Sequence, residues 1–164
     1  MAQSRIEGDV YITGSLGSKT FSPPDSSITN ASVKAAAGIS ATKLEHRFQR
    51  VLAQANTAAA DETRVVHVVY GATGAIVAFS AGSIAKAVGD AVCTVDLKVN
   101  GASVLSGVIT LDNANTNRVA EAGTVTTPAL VAGDVLEVVI DGTIGTGTLP
   151  TGVFAQVTLT EAGN

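Results

Sequence analysis

From Thr63 onward the chain alternates short apolar runs with turn residues, the rhythm of strand, turn, strand. Val92 to Leu111, VCTVDLKVNGASVLSGVITL, is the clearest case. Cys93, Val95, Leu97 and Val99 share one parity, and Thr94, Asp96 and Lys98 the other. Successive side chains of a strand point to opposite faces, so the first set is expected in a core and the second in water. Asn100-Gly101 supplies a tight hairpin, after which Leu105, Ile109 and Leu111 continue on the next strand. GDVLEVVIDG, from Gly133 to Gly142, sets Leu136, Val138 and Ile140 against Val135, Glu137 and Val139. VFAQVTLT turns Val153, Ala155, Val157 and Leu159 inward and Gln156, Thr158 and Thr160 outward. Asp96 and Glu137 thus fall on faces expected to be wet.

RVVHVVY, Arg64 to Tyr70, is β-branched on both faces, which predicts a central strand or one covered by another subunit. GATG, Gly71 to Gly74, is turn chemistry, with AIVAF as the return strand. Counted from Arg64 there are about seven strands at the spacing of a sandwich or barrel. Arg47 to Ala53 suits a further strand, although Leu44, Phe48, Leu52 and Ala55 equally suit a short helix.

The leader has no such rhythm. In FSPPDSSITNASVKAAAGISATKL, Pro23-Pro24 forbids helix and sets an extended path, and the Ser, Thr and Asn residues favour local turns. Ile12, Leu16, Phe21, Ile28, Val33, Ile39 and Leu44 are nonetheless spaced along it, as contacts would be in an arm that orders on a partner's surface. The expected organisation is an extended arm over residues 1–45, able to reach roughly 150 Å, and a β-domain over residues 46–164.

Composition narrows the picture. A chain of 164 residues has room for one ordinary domain with an appendage. With 46% hydrophobic and 15% charged residues it is not of the disordered class, and 4% aromatics without Trp leaves the core to Val, Ile, Leu and Ala. A net charge of −4 argues against nucleic acid as a partner, since only Lys43, Arg47 and Arg50 cluster. One cysteine excludes an internal disulfide. Charges in MAQSRIEGDVYITG stand where a signal peptide needs an apolar core, and no run is long enough to span a membrane. The expectation is a soluble protein, made in the cytoplasm, with no membrane partner.

Catalytic constellations are lacking. His46 and His67 have no metal-ligand spacing; His67 is read as a packed or interface histidine, with catalysis the lesser reading. Cys93 shares parity with Val95, as a buried inert thiol would. Asp90, Asp112, Asp134 and Asp141 read as turn aspartates. DNANTN, Asp112 to Asn117, fails the EF-hand frame because Ala114 stands third and Gly123 twelfth. GTIGTGTLPTG lacks the Lys-Ser/Thr and helix of a phosphate loop. No enzyme activity, cofactor or metal is expected.

The leader GDVYITGSLGSKTFSPPDSSITNASV…GISATKLEHR, followed by a β-domain with VDLKVNGASVL and AGDVLEVVID, resembles the capsid decoration (cement) proteins and head fibres of tailed bacteriophages. The resemblance spans nearly the whole chain in layout. It implies a jelly-roll-like antiparallel sandwich, a homotrimer on the capsid surface of the virion, and the major capsid protein as partner of its arms. The reading of the arm itself supplies the expected capsid contacts: Ile12, Leu16, Phe21, Pro23, Pro24, Ile28, Val33, Ile39, Leu44 and Arg47. RVVHVVY supplies the expected trimer interface: Val66, His67, Val68 and Tyr70. Tail-fibre or baseplate attachment is the nearest alternative. A carbohydrate-binding module recognising a host-surface glycan is another, against which stands the scarcity of exposed aromatics for stacking on sugar rings.

Overall fold

The computed structural model describes residues 45–162. Among them there is no helix, and ten strands form two five-stranded antiparallel sheets. The first sheet has the order β1 (Glu45–Ala53), β10 (Thr151–Ala162), β3 (Thr73–Ala85), β7 (Ala120–Gly123), with β8 (Ala129–Val131) also on β3. The second has the order β2 (Glu62–Val68), β9 (Val135–Thr143), β4 (Val92–Val99), β5 (Ala102–Ser103), with β6 (Ile109–Leu111) also on β4. The sheets pack as a β-sandwich around one core, in which Phe79, Val157 and Leu159 of the first meet Val95, Leu97, Leu136 and Ile140 of the second. Phe79 is the one aromatic buried there. The branched aliphatics do the remaining filling, as the composition requires.

The alternating segments fold as their parity dictates. Cys93, Val95 and Leu97 are buried on β4, Leu136, Val138 and Ile140 on β9, and Val153, Ala155, Val157 and Leu159 on β10. Asn100 (φ 51°) and Gly101 (φ 82°) close the β4–β5 hairpin with Val99 opposite Ala102. Both residues lie in the left-handed region that such a two-residue turn demands. Leu105, Ile109 and Leu111 are all buried but do not share one strand: Leu105 bridges to Val125, and only Ile109 and Leu111 lie on β6.

Residues 45–53 are a strand, one of the two readings open to this segment, paired with β10 along all nine residues. Four expectations are corrected. RVVHVVY is not a central strand: β2 is an edge, hydrogen-bonded to β9 alone. Its mixed parity comes from a bulge, since Val65 faces Glu137 and His67 faces Leu136, leaving Val66 as the extra residue. GATG does not turn β2 back on itself but carries the chain from one sheet to the other, where β3 runs for 13 residues. A second bulge at Val77 brings Ile76 and Phe79 both inward at a three-residue spacing. Asp96 and Thr158, expected in water, are 8% and 5% exposed. Asp96 is covered as β5 folds back beside β4, and its carboxylate accepts a 2.7 Å bond from Ser103 Oγ. Asp141 lies within β9 opposite Thr94 and not in a turn.

Candidate functional site

β1 and β2 are edges of different sheets, and their side chains meet along one flank of the sandwich. The register of β10 explains what lies between them. Val153, Ala155, Val157 and Leu159 point inward, and the next residue of that parity is Glu161, a carboxylate only 4% exposed. A buried charge must be hydrogen-bonded, and Glu161 is: Oε1 bonds His67 Nε2, and Oε2 accepts from the backbone N–H groups of Tyr70 (3.1 Å) and Gly71 (2.8 Å). Burial pushes the Glu161 carboxyl up. The bonds from His67, Gly71 and Tyr70 together outweigh it, and the group is held below its ordinary value. Gly71 fits only as glycine, since a Cβ there would stand 2.3 Å from the Ala162 carbonyl oxygen.

On the far side of the imidazole, Arg50 Nε donates to His67 Nδ1 at 3.3 Å. Nδ1 therefore accepts, and Nε2 carries the proton given to Glu161. The Phe48 ring closes the cluster, 5.5 Å from His67 between centroids, with the Arg50 guanidinium 5.1 Å above it. His46 stands 6.4 Å beyond Phe48. Further along the seam, Gln54 Nε2 donates to Ala60 O (2.6 Å) and to Glu62 Oε2 (3.1 Å). Both ring nitrogens of His67 are engaged. The arrangement joins β1, β2 and β10 as a strut.

The residues expected at a trimer interface divide here. Val66 is half-buried in the bulge and His67 is bonded within its own chain, whereas Val68 (52%) and Tyr70 (80%) are exposed, as is the neighbouring Val65 (51%). Of the expected capsid contacts, Arg47 is exposed on β1. Ile12, Leu16, Phe21, Pro23, Pro24, Ile28, Val33, Ile39 and Leu44 lie outside the described residues. Arg50, which clusters with Lys43 and Arg47 in the sequence, is turned into the seam. Glu161 escaped the sequence reading, although its signal was present: the inward parity of β10, carried two residues past Leu159, ends on a carboxylate.

The remaining polar groups mostly brace loops. Asp90 Oδ1 accepts from Thr146 N (2.7 Å) and Oγ1 (3.0 Å). Asp134 accepts from Val131 N and Asn100 Nδ2, both at 2.8 Å. These bonds hold both carboxyls below their ordinary values. Burial, followed by the charges of Asp141 and Asp61, pushes the Cys93 thiol up to about 11, so it is protonated near neutrality. An open cleft of about 350 Å³ lies between Ser106–Thr110 and Glu121–Thr124. Its carboxylate, Glu121, is bonded by Asn115 Nδ2 at 3.3 Å. No cluster of three or more His, Cys, Asp or Glu suited to a metal ion occurs among the described residues.

Compared with known protein families and with curated proteins, the chain matches none.

Proposed function

We propose that this chain is a virion structural protein, a homotrimeric decoration (cement) protein that binds the major capsid protein on the outside of a tailed-phage head. In this reading the sandwich is jelly-roll-like and residues 1–45 form the arm that clasps neighbouring capsomers. An extended arm across a seam adds many modest contacts without a deep pocket, and three arms on one trimer reinforce one another through effective concentration. The observation that carries the reading is where the leader joins the sandwich. Glu45 opens β1, an edge strand, so the point at which an arm would attach is at the rim of the sandwich. The saturated seam beside the start of β1 supports it, since a firmly tied corner gives an arm a fixed base. The protein is made in the host cytoplasm and acts on the virion. Electron microscopy of virions carrying a label on this chain tests the proposal: label spread over the head is expected, and label confined to one tail end would transfer the chain to fibre or baseplate attachment.

A further inference from the structure

The two outer faces of the sandwich differ in kind. On the second sheet the outward positions of β4 and β9 include Lys98, Glu137 and Asp141, the mixture of charges that keeps an exposed sheet solvated, while Asp96 lies covered by β5. On the first sheet the register sets Val51, Gln156, Ser80 and Ala122 in one row across β1, β10, β3 and β7. The next row sets Phe154 beside Ala53 and Gly82. Arg47, towards the end of β1, is the one charge among the described side chains of this face. Val51 and Val77 are exposed on it by 65% and 48%.

We propose that this nearly uncharged face is where copies of the chain associate. Charge selects a second copy as the occupant. The chain carries a net −4, and contact through the second sheet would set its carboxylates against those of a like-charged copy. The first sheet, with Arg47 towards one end, brings little such repulsion and offers a charged partner little to recognise. Its small side chains let another surface approach closely. At about 3.3 Å per residue and 4.8 Å between strands, the face covers about 600 Å², most of the roughly 800 Å² that each partner contributes to a standard interface. The inference takes from the proposed function only that copies associate; it is independent of what the assembly binds.

Sedimentation velocity of the full chain at micromolar concentration tests it, with Val51→Lys on this face and Thr94→Lys on the outer face of β4. The wild type and Thr94→Lys are expected to sediment as the same oligomer, and Val51→Lys to dissociate about 100-fold more readily, because a lysine there would be buried without a partner. A second, nearly isosteric variant guards against misfolding. In Ser80→Cys the new thiol should react with a maleimide progressively more slowly as protein concentration rises, while Cys93 stays buried and silent. A monomeric wild type, Val51→Lys assembling like the wild type, or Ser80→Cys labelling at a rate independent of concentration would overturn the inference. Head binding by a monomer would sink this inference alone, and an oligomer indifferent to heads would sink only the proposed function.

Discussion

Glu161 shows how much one side chain can organise. Its carboxylate collects two backbone N–H groups and His67, and through His67, on the other sheet, it reaches Arg50 on β1. Glu161→Gln keeps the shape and removes the charge, and is expected to cost about 2 kcal/mol, the scale of losing charge-assisted bonds at a buried site. The pH dependence has a definite sign. Because the folded carboxyl lies below its ordinary value of 4.5, its contribution is complete above that value and is lost as pH falls through the lowered folded value. Asp90 and Asp134 are lowered as well and act in the same direction. Melting temperature measured from pH 6 down to about pH 3 should therefore fall less steeply in Glu161→Gln than in the wild type; parallel curves would show that the seam does not carry the acid sensitivity. Asp96 marks the limit of parity at this scale. Alternation assigned it correctly to the outer face, but only the folding back of β5, which brings Ser103 to its carboxylate, makes that position dry.

At the scale of elements, strands that follow a strict two-residue period were legible and strands with an inserted residue were not. β4, β9 and β10 show their buried sets in the sequence because nothing interrupts them through Leu97, Ile140 and Val157. The register predicts that Leu97→Ala, at a position fully buried against both sheets, lowers stability by about 2–5 kcal/mol, and that Lys98→Ala, on the outer face, costs about 0.5 or less. Equal denaturation midpoints for the two would mean that the β4 register is wrong. In β2 and β3 a bulge adds Val66 and Val77, and the pattern on either side of each goes out of phase. A run of β-branched residues with a bulge looks the same in sequence as one buried on both faces, which is why RVVHVVY read as central when β2 is an edge. Partnering is a separate matter. GATG has hairpin composition, but whether a turn returns the chain to the same sheet depends on distant strands, here β9 for β2 and β10 for β3.

For the whole molecule, what the sequence could not reveal is which surfaces face which, because sheet order is set by pairings such as β1 with β10, whose partners Glu45 and Ala162 lie at opposite ends of the described chain. That closure shapes the last prediction. β10 sits between β1 and β3, and its inward side chains fill the core from Val153 to Leu159, so the sandwich is held from within residues 45–162. Deleting residues 1–40 leaves β1 intact, and the truncated chain is expected to keep a β-type circular dichroism spectrum and a cooperative melt. Under the proposed function the same deletion removes the arm and abolishes co-sedimentation with undecorated heads. Salt dependence of full-chain binding should be slight, because Arg50 is turned into the seam towards His67 and Arg47 is the cation that β1 leaves exposed. A folded truncation that still binds heads would assign attachment to the sandwich, and a truncation that fails to fold would make the leader part of the domain's architecture.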